Sequence, residues 1–321
     1  MKLGVLTVPL YAMSAGDAFK YLSDLGVQTV EIGAGGYPGN THFNVSEILS
    51  DPAKIEAYKK LLSDSNLEIS AFSVHSNHVH PNREIADKAH TEFINACKAA
   101  QAFGIDTVVT FSGCPGDHPG AKNPNWVTCS WPPEYSETLK YQWDECLVPY
   151  WKKAAKEAAE YGVTKIALEL HPGFCVYNTS TLLQLRSEAG DAIGANFDPS
   201  HLFWQGINPV EAIKQLKGAI YHFHAKDTKL DAHNVSVNGV LDTGSYGDIL
   251  GRSWLFRTVG YGHGYSVWKD IISTLRATGY EGAISIEHED ALMSVKEGLE
   301  SAIKFLQNVI LFEKPAEMWW A

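Results

Sequence analysis

The 321-residue chain predicts one α/β domain spanning residues 1–321, a closed (β/α)8 barrel with long βα loops after the fourth and seventh strands. Three observations predict it. Eight short β-rich apolar runs alternate with longer stretches of helical periodicity, which is the pattern of repeated βα units, and eight strands close this barrel. Four acidic or imidazole residues, Glu169, Asp198, His224 and Glu287, each end an apolar run, at spacings of about one such unit or a multiple of it. No stretch rich in Pro, Gly or Ser separates two autonomous halves.

Taken in order, the first strand is residues 3–8. The opening MKLGVLTVPLYAMSAG has the Lys and apolar stretch of a short secretory leader, but VPLY interrupts a run that serves as a strand instead. Residues 29–33, 69–74 and 107–111 follow, rich in β-branched and aromatic side chains. Residues 165–170, 192–197, 219–224 and 283–287 complete the set. Helices between them are marked by caps: Ser46 before 47–62, Asp144 before 151–161 and Ser266 before 267–278. Gly104, Gly162 and Gly279 fall shortly before the next strand and suit left-handed C-caps.

Composition narrows the partners. With 45% hydrophobic and 20% charged residues, a sizeable core is affordable in an ordinary globular chain. The formal net charge of −11 disfavours nucleic acid and anionic membranes, whose attraction needs clustered Lys and Arg. No segment approaches membrane-spanning length. Cys97, Cys114, Cys129, Cys146 and Cys175 are five, without C-x-x-C spacing, so complete pairing is excluded and a reduced, cytoplasmic setting is expected. Small neutral ligands are unaffected by the charge, and a homo-oligomer is left open.

The strand-end residues carry the chemistry. Residues 166–170 and 283–286 read as buried, so a charged side chain ending them needs a buried partner, and a divalent cation is the simplest. One such carboxylate alone reads more readily as a salt bridge or a helix cap than as a ligand. Four in register favour ligation, because parallel strands bring their carboxyl ends to one face of a barrel. Three carboxylates and one imidazole make a hard, oxygen-rich set, suited first to Mn²⁺, with Mg²⁺, Co²⁺ or Zn²⁺ as alternatives.

The two long connections are residues 112–143, with Trp126 and Trp131, and 227–265, with Arg252, Trp254 and Arg257. Their aromatic content argues against disorder. Both are expected to overhang the catalytic face as a lid and sugar-stacking wall, with a subunit interface the competing reading for Trp126 and Trp131.

At LELHPG (168–173), FDPSH (197–201), HAKD (224–227), GYGHGYSVW (260–268) and SIEHED (285–290), the chain resembles the xylose-isomerase-like TIM-barrel superfamily of sugar isomerases and epimerases, which includes ketose 3-epimerases and inosose dehydratases. The resemblance covers the whole barrel. It implies one divalent ion held by Glu169, Asp198, His224 and Glu287, and a histidine, His201, reaching a substrate hydroxyl. It also makes His75 a sugar contact, within VHSNHVHP, while His78, His222 and His263 are read as structural. Many ketose 3-epimerases carry a second glutamate six residues after the first metal glutamate; here that position is Cys175, with His171 as an alternative polar group on the same strand face.

What the resemblance implies is a metal-dependent sugar isomerase or epimerase acting on a ketose or oxidised sugar by proton abstraction next to a carbonyl, through an enediolate, with Glu169 and Glu287 as proton carriers. The alternative is a dehydratase or lyase on a keto-sugar or inosose, which begins with the same step. Lys226, Arg257 and Trp254 are expected at the substrate. No Gly-rich phosphate cradle is evident, so an unphosphorylated sugar is preferred, although Lys226 can equally pair with Asp227. A nuclease of the AP-endonuclease type shares this barrel, but it needs a histidine at the fourth strand end, where Phe111-Ser112-Gly113 stands, and the acidic balance opposes DNA.

Overall fold

In the computed structural model, which describes residues 1–320, ten strands form in chain order. They are β1 (Lys2–Leu6), β2 (Thr29–Gly33), β3 (Glu68–Ser73), β4 (Thr107–Thr110), β5 (Lys165–Glu169), β6 (Ile193–Phe197), β7 (Ile220–Ala225), β8 (Asp227–Leu230), β9 (Trp254–Arg257) and β10 (Ala283–Ile286). Eight of them are parallel and close on themselves in the order β1-β10-β7-β6-β5-β4-β3-β2, the single (β/α)8 barrel expected. β8 and β9 are the exception: they pair antiparallel, Asp227 opposite Arg257, as a ribbon within the seventh connection.

Most of the apolar mass lies outside the barrel wall, between strands and helices, where residues such as Phe19, Phe93, Trp151 and Trp268 are buried. Small side chains dominate the bore, where Ala71, Val109 and Ala167 pack together with the ring of Tyr221 against them. That ring needs the room left at Gly194, whose Cβ would stand 2.3 Å from it. Gly104, with φ 71°, ends the long helix Arg83–Phe103 in the left-handed conformation a side chain resists.

Some caps differ from expectation. The helix expected over 47–62 is two, Val45–Ile48 and Pro52–Asp64, capped by Asn44 and Asp51, because Pro52 starts a new helix rather than continuing one. Asp144 caps nothing. It sits in a π-helical turn, Gln142–Leu147, that joins helices Pro133–Tyr141 and Val148–Glu160, and the turn precedes Pro149, which has no N–H to give. Helix Tyr265–Ala277 begins after Gly264, one residue before Ser266. Among the described residues, no helix is long and apolar enough to cross a membrane.

Candidate metal centre

Strand register assembles the site. Glu169 pairs with Asn196, Asn196 with His222, and His224 with Ser285. Steps of two keep a side chain on one face. They carry Asn196 to Asp198, His222 to His224 and Ser285 to Glu287, so all four residues converge at the carboxyl end of the barrel. One ligand atom from each lies within 4.8 Å of all the others. His224 Nδ1 is 3.1 Å from Glu287 Oε2 and 3.3 Å from Glu169 Oε2. Asp198 Oδ1 accepts from the Ser200 amide at 2.8 Å, capping helix Pro199–Phe203, while its Oδ2 is buried without a hydrogen bond. Two buried carboxylates and a half-buried one around one imidazole, with one oxygen orphaned, fit a divalent cation.

Lys226 enters this cluster from two residues past His224. Its ammonium stands 3.1 Å from Asp198 Oδ2, 2.6 Å from Glu287 Oε2 and 3.0 Å from Glu289 Oε2, and its side chain is 3% exposed. The contact with Asp198 is an ion pair in distance only, lacking hydrogen-bond geometry. Pairing of Lys226 with Asp227 does not occur: alternation turns Asp227 to the other face. There it accepts from the amides of Gly260, Gly262 and His263 and from Trp268 Nε1.

Around Glu169 stand groups of mixed origin. His75 Nε2 is 2.9 Å from its Oε2, His201 Nε2 3.0 Å from its Oε1, and Asn196 Nδ2 donates to Oε2 at 3.0 Å. His75 and His201 thus face a ligand carboxylate rather than open space. His171 packs its ring on His201, centroids 4.1 Å apart, and lines a cavity of about 450 Å³ with Tyr246, Leu255, Phe256, Glu289 and Ala291. This cavity adjoins the centre through Glu289 and His171. A larger one, about 520 Å³, is lined by Trp126, Trp143, Cys175 and Tyr177 and holds none of the cluster residues. The smaller one is lined by none of the four either, but it borders their neighbours Glu289 and His171.

Two residues expected at the substrate do not line this cavity. Trp254 is 5% exposed, stacked on Trp204 at 4.8 Å, and lies behind Phe256 instead of lining the cavity. Arg257 is committed to Asp290 at 3.0 Å and leans over Tyr261. The wall comes instead from Tyr246, in the connection between β8 and β9, and from Leu255 and Phe256 of β9. The fourth connection lines the other cavity with Trp126, while Trp131 is 73% exposed.

The sequence reading missed Glu31, in the middle of β2. It is fully buried, with oxygens 3.0 and 2.9 Å from His224 Nε2. The signal was there: Glu31 is the charged residue in TVEIG. His222, read as structural, hydrogen-bonds Asn196 Oδ1 through Nδ1 at 3.1 Å.

Electrostatics separates the carboxyls. Burial would raise Glu169, but hydrogen bonds from His201, His224 and His75 hold it well below the usual carboxylate range. Burial is likewise outweighed at Glu287 by Lys226 and His224, and at Glu31, held at about 2, by His224 and His222. Asp198 goes the other way. Burial raises it to about 6, with Lys226 opposing and Glu169 and Glu287 reinforcing. His224 is pushed well above its ordinary value by Glu31 and Glu287, against the effect of burial. Burial lowers His171 to about 3, leaving a neutral ring at the cavity.

Comparison with known proteins follows the geometry. A family model described as xylose isomerase-like TIM barrel matches residues 19–309. The uncharacterized protein YfiH of Bacillus subtilis (strain 168) is 36% identical over 318 residues, covering 97% of this chain and 99% of its own length. Inosose dehydratase of Clostridium botulinum (strain Alaska E43 / Type E3) is 31% identical over 159 residues, 49% of this chain and 50% of that protein. Among solved structures, a D-tagatose 3-epimerase-like protein superposes with a TM-score of 0.63 at 21% identity, covering 96% of this chain and 98% of that one. The IOLI protein with a binding zinc atom superposes with 0.65 at 18% identity, over 97% and 98%. At such identities the two structures speak for the fold.

Proposed function

The chain belongs to the xylose isomerase-like TIM-barrel family, and from that premise we propose that it is a divalent-metal-dependent isomerase or epimerase of an unphosphorylated ketose or oxidised sugar. The observation that carries the reading is the convergence of Glu169, Asp198, His224 and Glu287 within 4.8 Å around a buried, hydrogen-bond-free Asp198 oxygen. A bound ion, Mn²⁺ first, supplies polarisation of the substrate carbonyl, worth several kcal/mol to the developing oxyanion.

The protein's own residues do the rest. Glu169 and Glu287 both stand beside His224 Nδ1 and both are held ionised, so either can take a proton from the carbon beside the carbonyl. The C–H bond breaks, its electron pair forms the C=C bond of an enediolate, and the carbonyl π pair moves to oxygen. Return of a proton to the opposite face inverts that carbon; return to the neighbouring carbon isomerises the sugar. Neutral His171 and buried His201 lie where sugar hydroxyls meet the cavity wall. Lys226, Arg252 and Arg257 each already face carboxylates, which supports a neutral polyol over a phosphate.

A second reading, dehydration of a keto-sugar or inosose, is favoured by the 31% identity to an inosose dehydratase over half the chain. There the enediolate expels a β-hydroxyl, protonated to leave as water. Incubating the Mn²⁺-loaded protein in D₂O with a panel of ketoses, 3-oxo-sugars and inososes tests both readings. Deuterium at one carbon of an isomeric product supports the first. An unsaturated product one water lighter supports the second, and turnover of none of the panel refutes both.

A further inference from the structure

We propose that Glu31 is a positioning residue that fixes the tautomer of His224, so that Nδ1 is the nitrogen turned toward the cation. The inference rests on the metal reading above. It starts from contacts that reading does not use. His224 Nε2 lies 3.0 and 2.9 Å from the two oxygens of Glu31. A carboxylate only accepts, so Nε2 carries a proton for Glu31; Nδ1 likewise faces Glu169 and Glu287, and it is on this side, among the cluster carboxylates, that a cation would take the place of the Nδ1 proton.

Glu31 is itself fixed. Ser285 Oγ donates to its Oε2 at 2.8 Å, and Ser73 Oγ donates to its Oε1. The three residues come from β10, β3 and β2, so three strands hold one carboxylate in a fully buried place. Turning His224 over would set a bare nitrogen against that carboxylate and cost the imidazole its only Nε2 acceptor. A carboxylate placed behind a ligating histidine both orients the ring and raises its basicity.

Glu31, His222 and His224 also approach one another closely enough to hold an ion of their own. The hydrogen bonds argue for orientation instead. His222 Nδ1 meets Asn196 Oδ1 at 3.1 Å, its Nε2 meets Ser70 Oγ at 3.3 Å, and that Nε2 stays 3.8 Å from Glu31. His222 is engaged on both nitrogens, and His224 Nε2 cannot bear a proton for Glu31 and a lone pair for a second ion.

The test is metal affinity, measured by competition with a chromophoric chelator using Co²⁺ and Zn²⁺, on wild type, Asp198→Asn, Glu31→Gln and Glu31→Asp. Glu31→Gln is expected to weaken binding about 10–100-fold and to change the Co²⁺ absorption spectrum, with Glu31→Asp recovering part of the loss. In ¹H–¹⁵N spectra of the Zn²⁺ form, the wild-type His224 ring carries its proton on Nε2. A residue that merely supports the fold would lower the melting temperature without moving Kd, spectrum or tautomer, and that result overturns the proposal. Should Glu31→Gln fail to fold, the double variant Ser73→Ala, Ser285→Ala removes both hydroxyl holders; unchanged Kd there overturns it equally. Wild type that takes up no metal, or Asp198→Asn that binds as wild type does, sinks the metal reading itself. Normal binding by wild type, loss in Asp198→Asn and no effect of Glu31→Gln sinks only the role given to Glu31.

Discussion

Replacing Lys226 by Met tests what holds the carboxylate cluster together in metal-free protein. The ammonium is buried against Asp198, Glu287 and Glu289, with the face of Phe256 at 4.6 Å on another side. Methionine keeps the length and apolar stem but removes the charge, leaving Glu169, Asp198 and Glu287 with His224 as their nearest cation. Breaking a buried ion pair by deleting one partner costs about 3–5 kcal/mol, because the remaining charge is neither hydrated nor paired. Unfolding entropy of roughly 2.1 cal/mol/K per residue over 321 residues converts that loss into a fall in Tm of roughly 4–7 °C.

Conditions sharpen the result. Burial raises the Asp198 carboxyl to about 6 even with Lys226 opposing; removing the ammonium takes it higher, so the variant relieves itself by protonating this group and the loss is largest on the alkaline side, at pH 8 or above. Circular-dichroism melts in chelator-treated buffer give the number, and repeating them with saturating Mn²⁺ should shrink the difference, since an ion then supplies the missing charge. A drop under about 2 °C at pH 8, or the same drop with and without Mn²⁺, refutes the view of Lys226 as the internal counter-cation of the cluster.

Three further outcomes are expected. Asp198→Asn should lower metal content by elemental analysis and abolish turnover, and full metal content would overturn the ligand assignment. Glu169→Gln and Glu287→Gln should each remove solvent-deuterium exchange into substrate at matched metal occupancy, measured on every variant before rates are compared; retention of the original hydrogen over many wild-type turnovers in D₂O would instead favour a hydride shift. His78, held neutral by burial down to about 3, titrates near 6.5 once unfolded, so the unfolded state binds the extra proton between those values. Its stability contribution is full above about pH 6.5 and falls by roughly 1.4 kcal/mol per pH unit toward pH 3. His78→Phe should flatten that acid limb in urea titrations at pH 7, 5 and 4, and an unchanged slope would count against it.

Barrel and four-residue cluster were legible for one reason: both depend on period-two patterning inside short apolar runs. The eight expected strands match those observed to within two residues at each end. Glu169, Asp198, His224 and Glu287 stood out because a polar residue closing an apolar run is anomalous there. Glu31 breaks the same rule from mid-strand, where its partner, His224, is 193 residues away. Only the closed barrel brings them together. Lys226 could have been placed by parity alone, since it shares the inward face of His224 while Asp227 does not. The β8–β9 ribbon was not legible: DTKL and WLFR are four-residue runs without clear alternation, separated by a connection that pairs only when its two ends lie side by side.

That ribbon changes where selectivity resides. In the resemblance drawn from sequence, the sixth residue after the first metal glutamate is a substrate contact, and here it is Cys175. The thiol is 6% exposed, its residue's amide donates to Gly113 O at 3.0 Å, and it lines the cavity that lacks the carboxylates. Under the proposed function, a sugar at Glu169 and Glu287 would meet other groups instead. Glu289 and Ala291 approach from beyond β10, His171 from beyond β5, and Tyr246, Leu255 and Phe256 from the seventh connection. Tyr246 stacks on Phe256 at 5.9 Å and carries the Arg252 guanidinium over its ring at 4.2 Å, so the phenol is braced although 57% exposed. A phenol, an imidazole kept neutral and one carboxylate offer hydrogen bonds without net positive charge, on a wall of Phe and Leu that suits the C–H face of a polyol. Under the proposed function, discrimination between a free sugar and its phosphate follows from this lining and from the carboxylates that already face Lys226, Arg252 and Arg257.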